Sequence, residues 1–155
     1  MKSPTPALEC NQHLHRTLAE FRHQLRKFLL ASENAALQAG LHPQQHQLLL
    51  TVAGAAPGTS PSIAYAADLL GLKHNSVVEL VDRCQSQGLL ERTADPADRR
   101  RVCLRITPRG QTVMDRLSQV HLQELHSRGP YLVQALKKVL QSETVKAAES
   151  KAARK

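Results

Sequence analysis

The sequence predicts a mainly α-helical fold carrying one small β-hairpin, on three observations. Apolar residues recur every three or four positions through Leu14, Leu18, Phe21, Leu25 and Phe28, the spacing of one helix face. The same spacing returns after Thr107 and Pro108 through Val113, Met114, Leu117, Val120 and Leu125. Between them lies "ADPADRRRVCLRI", residues 94–106, where Val102, Leu104 and Ile106 alternate as in a strand. At 155 residues the chain has the length of one domain and can bury a real core.

Taken in order, the first helix runs from Leu8 to Ala39. Its stripe narrows through Ser32, Ala36 and Ala39, and Gly40 is its natural stop. Pro43 suits the first turn of a second helix, "QQHQLLLTVA", which ends near Gly54. Closely spaced Gly and Pro make "GAAPGTSPS" a loop. Ser62 caps a short helix, "IAYAADLL", that stops at Gly71, and a further helix spans Asn75 to Gln87 before Gly88. "LLERT" (89–93) and "RVCLRI" (101–106) read as two strands joined by "ADPADRR", with Asp-Pro at the turn. Thr107-Pro108 opens a helix that "SRGP" breaks, and a last helix carries Tyr131, Leu132, Ala135, Leu136, Val139 and Leu140. The segment 143–155 is a basic tail, either a frayed helical extension or disordered.

Composition narrows the function. The net charge is +8 and the pI near 9.9, which favours a polyanionic partner, nucleic acid or an anionic membrane surface. Aromatic residues make up 3% of the chain and Trp is absent, so there is little surface for stacking on single strands. Cys10, Cys84 and Cys103 are too few and too scattered for a disulfide framework, and none forms a CxxC pair. "MKSPTPALEC" lacks a signal-peptide core and no stretch reaches membrane-spanning length, so a cytoplasmic protein with no membrane partner is expected.

Two short helices around a Gly turn suggest a helix-turn-helix. Ala67 is small where the helices cross, Gly71 follows four residues on, and Val77, Leu80, Val81 and Cys84 return toward the first helix. A helix-turn-helix followed directly by a hairpin with a basic tip is a winged helix. "GLLERTADPADRRRVCLRITPRG" supplies strand, wing, strand and the next helix start in that order.

From about Leu41 to Gly110 the chain resembles the MarR family of bacterial transcription regulators. "PQQHQLLL", "HNSVVELVDR" and the long wing segment carry the resemblance, "DPADRR" followed by "TPRG" being its most specific part. The resemblance implies a winged helix-turn-helix over 41–110, an N-terminal dimerisation helix over 1–40 and C-terminal dimerisation helices over 107–142. It also implies a homodimer, most often a repressor in such families, on a pseudo-palindromic operator in double-stranded DNA. A further class is a metal-dependent enzyme built on the histidines. The sequence shows no nucleophile–base constellation, no Gly-rich phosphate loop and no complete ligand set, so neither an enzyme nor a cofactor is expected. Control by a small-molecule effector or an oxidant would act through a pocket between the dimer and DNA-binding regions.

Recognition helices read base edges with their first residues. That points to Lys73, His74, Asn75, Ser76, Val78 and Glu79, with Ser62 also among the DNA contacts. Asn75 suits adenine N6/N7, or else caps the helix; Val78 suits a thymine methyl. Glu79 departs from the Arg or polar residue often found there in the family; it accepts from cytosine N4 or orients a nearby Arg. In the wing, alternation sets Val102, Leu104 and Ile106 on the core face and Arg101, Cys103 and Arg105 on the other. Arg99 and Arg100 sit at the tip, where a guanidinium can enter a narrow minor groove, and Asp98 positions an arginine. Arg101 joins this set, and Arg83 and Arg92 are candidate phosphate contacts.

Eight histidines raise a metal question. His42 and His46 share a helix face at i, i+4, whereas His121 and His126 do not. No Cys or acidic residue adjoins the first pair to complete a site, so no metal is assigned. His46 stands where the family has an apolar or aromatic residue, which makes His42 and His46 candidates for the ligand pocket. Cys84 reads as an inert core thiol. Cys10 lies at the start of the first helix, in the general region where peroxide-sensing relatives keep a reactive cysteine, although "LECNQH" does not match their motif. Cys10 is therefore the redox candidate. The alternatives to the repressor are a non-specific architectural DNA-binding protein and a thiol- or zinc-responsive regulator of the same fold.

Overall fold

The computed structural model describes residues 6–141 other than 96, 97 and 99, with side chains from residue 12 onward. The elements are α1 (Pro6–Gln38), α2 (Pro43–Ala53), α3 (Ile63–Leu70), α4 (His74–Ser86), β1 (Leu90–Ala94), β2 (Val102–Ile106) and α5 (Pro108–Leu140). Two compact units divide the chain, Met1–Ala31 with Leu122–Lys155 and Ser32–His121. The tail 143–155 lies outside the described residues.

The unit Ser32–His121 holds the core. Leu48, Leu49 and Val52 of α2 meet Ala66 of α3, Val77, Leu80, Val81 and Cys84 of α4, and Leu90 and Leu104 of the hairpin. Met114 and Leu117 of α5 and Ala35 and Ala36 of α1 complete it. The four α4 residues lie three, one and three positions apart, a single helix face, so their burial places the opposite face in solvent.

Local chemistry explains the boundaries. His42 caps α2 reciprocally: its Nδ1 accepts from Gln44 N (3.3 Å), and its own N–H donates to Gln45 Oε1 (3.0 Å). Ser62 Oγ accepts from Tyr65 N (3.2 Å) at the head of α3. At the other end Gly71 adopts φ 62, ψ 31, the left-handed region, and Leu72 N returns to Ala67 O at 3.0 Å. Thr107 Oγ1 accepts from Gly110 N (3.0 Å) to start α5 and donates to Gly88 O (2.6 Å).

The hairpin is antiparallel, Leu90 opposite Ile106 and Ala94 opposite Val102, each strand starting one residue later than the pattern suggested. The expected alternation fails at two positions. Cys103, assigned outward, is 5% exposed, and Val102, assigned to the core, is 49% exposed. The reason is a second cover on the hairpin. Pro61 O accepts from Leu104 N (2.7 Å), so the segment before α3 lies along β2, and Cys103 Sγ reaches the buried Asp95 carboxylate (3.5 Å). Val102, paired with Ala94, lies beyond that cover, toward the tip.

Two further expectations change. "SRGP" does not break the last helix: α5 runs 33 residues with Pro130 inside it. One proline removes one donor and costs about 3 kcal/mol locally, but the apolar period continues on both sides through Leu125, Leu132 and Ala135. Asn75 is not the cap of α4. Lys73 holds that position with φ −68, ψ 146 and no side-chain cap bond, leaving Asn75 inside the first turn. Cys10 lies in the second turn of α1, and its side chain is outside the described residues.

Candidate nucleic-acid interface

The Gly71 turn sets the geometry of α3 and α4. With α4 anchored by Val77, Leu80, Val81 and Cys84, its first turn leaves Lys73, His74, Asn75 and Ser76 exposed. Val78 is half-buried and Glu79 exposed. Glu79 pairs with Arg83 across one turn, Oε2 to Nη2 at 3.7 Å. Such an exposed pair adds little stability, so both groups stay available to a partner.

The wing is closed by backbone bonds from Asp95 N to Arg101 O and from Arg101 N to Asp98 O, both 2.9 Å. Asp98 Oδ1 accepts from Arg100 N (3.0 Å), so Asp98 shapes the backbone at the tip through an amide rather than a guanidinium. Arg100 is exposed, and its guanidinium makes no hydrogen bond or ion pair among the described residues. Arg101 is exposed with Nη1 4.0 Å from Asp95 Oδ2. Arg99 lies outside the described residues.

Two of the sequence candidates have structural duties. Ser62 spends its hydroxyl on the α3 cap. Arg92 on β1 reaches Asp82 Oδ1 (2.6 Å) and Gln85 Oε1, both on α4, and so clamps the hairpin to that helix. Arg105, outside the expected contact set, is exposed on the wing opposite Glu91, as its outward place in "VCLRI" signals.

His42 and His46 separate despite sharing a helix. His42 is exposed at the cap, whereas His46 is 2% exposed with its ring 4.8 Å from that of His121. Burial, and then the charge of His121, lower the His46 pKa below its ordinary value. Neither residue borders the cavity of about 410 Å³ between α1, at Ala35 and Gln38, and α5, at Val113, Arg116 and Val120. Among the described residues no three His, Cys, Asp or Glu side chains gather as metal ligands, and no helix is long and apolar enough to cross a membrane.

Both described cysteines are buried thiols. Burial pushes Cys84 up to about 11, against a smaller lowering by the Gln45 amide. Burial, followed by the hydrogen bond and charge of Asp95, raises Cys103.

Comparison with known proteins agrees with this arrangement. A model of the MarR family matches residues 39–101, from the end of α1 to the wing. A curated Thauera aromatica protein, named as a transcriptional regulatory protein for the hcr operon, is 31% identical over 104 residues, 66% of this chain. The chain spans 60% of that relative's length. The structure of CouR from Rhodococcus jostii RHA1, bound to p-coumaroyl-CoA, is 28% identical with a TM-score of 0.57, over 75% of this chain and 82% of CouR. A cysteine-to-serine mutant of MarR from E. coli, in complex with operator DNA, shares the fold at 22% identity. Its TM-score is 0.58, over 77% of this chain and 89% of that one. The family match over the helix-turn-helix and wing, the curated relative and the shared fold make residues 39–101 of this chain similar to MarR family regulators.

Proposed function

We propose that this chain is a sequence-specific DNA-binding transcriptional regulator, a homodimeric repressor of the bacterial cytoplasm released from a pseudo-palindromic operator by a small ligand. One observation carries the reading. A helix held by its apolar face offers an exposed first turn, Lys73 to Ser76, in the same compact unit as a hairpin whose tip exposes Arg100 and Arg101. Helix for the major groove and arginine for the minor groove are the two parts of winged-helix readout, and a net charge of +8 favours the phosphates. In this reading Asn75, Ser76, Val78 and Glu79 meet base edges, Lys73, His74 and Arg83 meet phosphates, and Arg99 and Arg100 enter the minor groove.

Dimerisation is supported by apolar surface outside that unit: Leu18, Leu29 and Leu30 of α1 and Leu122, Leu136 and Leu140 of α5 are exposed, side chains that a second chain would cover. The cavity beside Arg116 is the seat assigned to an effector.

Selection of bound duplexes from a random pool at stated salt tests the reading. The expected product is a palindrome with half-sites about one helical turn apart, bound by a species of twice the chain mass in sedimentation. Equal affinity for the selected and a scrambled duplex overturns specific recognition in favour of an architectural protein.

A further inference from the structure

His46 is a polar side chain in the wrong place for a structural residue. It is 2% exposed, and its Nε2 has no hydrogen-bond partner. The ring lies tilted at 48° against His121 of α5, whose Nε2 shares a 3.1 Å hydrogen bond with Ser32 Oγ of α1. One junction thus joins three helices through two imidazoles and a hydroxyl. Among the described residues no carboxylate pairs with either ring, so nothing offsets a proton taken up there.

The next residue reaches another way. Gln45 is buried, and its Nε2 donates to Gln87 Oε1 (3.2 Å) just past the end of α4 and approaches Cys84 Sγ on α4 (3.8 Å). Adjacent residues of α2 therefore hold α5 on one side and the recognition helix on the other. A movement of α2 at His46 would carry Gln45 with it, because both sit on one helical turn.

We propose that the His46–His121–Ser32 junction is a proton-operated release. Protonation of His46 drives α2 from α5 and, through Gln45, displaces α4, so that operator affinity falls in acid. The groups that bear on His46 come from its neighbouring elements. α5 contributes His121, which repels the new charge, and α1 contributes the uncharged Ser32, bonded to His121. α2 itself contributes Gln45 and, at its exposed cap, His42; α4 contributes the neutral Cys84 to Gln45. Low accessibility and a repelling neighbour both resist the cation, in agreement with the lowered His46 pKa. Only the output of the release rests on the DNA-binding reading; the movement of α2 and α4 does not.

The test is an NMR titration of the full chain, following the His46 ring and the amides of Cys84 and Gln87 from neutral pH to acid. The expected result is one shared midpoint below the ordinary imidazole value, with the amide response abolished in His46→Phe. Titration of His46 with those amides unmoved overturns the release in wild type alone, so failure of the variant to fold would not shield it. A second arm measures affinity for a duplex selected from a random pool, at neutral and acid pH. Wild type is expected to lose up to about tenfold per unit of pKa difference between held and released states, relative to His46→Phe. Acid effects from groups outside the junction are common to both chains and cancel in that comparison. Coupled NMR shifts with equal acid response of affinity in both chains overturn the output. Failure of wild type to bind any selected duplex at either pH overturns the DNA reading, while the NMR arm still decides the junction.

Discussion

A β-carbon on Gly110 would lie 2.0 Å from the carbonyl oxygen of Leu89 and 3.0 Å from Cγ2 of Ile106. The first turn of α5 thus rests directly on the backbone at the root of the wing, alongside the Thr107 hydroxyl bonded to Gly88 O. The "TPRG" segment joins helix to hairpin by a cap and a missing side chain.

Gly110→Ala is therefore expected to cost roughly 3 kcal/mol, since a backbone atom and not a flexible side chain must move. Urea denaturation measures it. A midpoint within a few tenths of a kcal/mol of wild type would remove the close approach.

Gly71 poses a different constraint, because its surroundings are open and only its φ of 62 is demanding. Gly71→Ala is expected to lose about 1–2 kcal/mol and Gly71→Asn less, because Asn tolerates the left-handed region. Equal losses for the two would point to a steric cause instead.

The wing arginines should divide. Arg100→Ala is expected to weaken operator binding and reduce the log–log salt slope by about 1, with unchanged thermal stability. Arg92→Ala should instead lower stability by about 1 kcal/mol, since it holds Asp82 and Gln85, and should affect affinity less. Fluorescence anisotropy across a salt series, with thermal melts, separates them.

Stability should follow the His46 ionisation. Above about pH 6.5 the ring is neutral in both folded and unfolded chains. As pH falls from there toward the lowered folded value, the unfolded chain binds the proton first, so stability declines. Urea midpoints at several pH values should show this decline in wild type, and a smaller one in His46→Phe.

The buried thiols should be inert. In Cys10→Ser protein, Cys84 and Cys103 are expected to resist a disulfide reagent near pH 8 and to react once denaturant unfolds the chain, because both are pushed above the ordinary thiol range. Rapid modification of the folded variant would favour a thiol-responsive regulator.

Much of this was legible in the chain. Helices α1 to α4 follow from apolar period and punctuation, because a cap at Ser62 or a left-handed Gly71 is a local requirement. The buried face of α4 follows from spacing alone. Reading failed where a rule assumed an environment. Pro130 breaks an isolated helix but not the 33-residue α5. Period-two alternation presumes one wet face, whereas the Ser60–Pro61 segment covers β2 and buries Cys103 beside Asp95.

The candidate interface divides in the same way. The sequence by itself determined which residues crowd the first turn of α4 and the wing tip, and that this hairpin carries positive charge at its end. Tertiary structure alone decided that Arg92 is already occupied, by Asp82 and Gln85 of α4. It alone also decided that His46 meets His121, 75 positions away, with its Nε2 unpartnered. Helix and turn signals act over a few residues and are written locally, whereas partnership of a side chain depends on what distant segments bring to it.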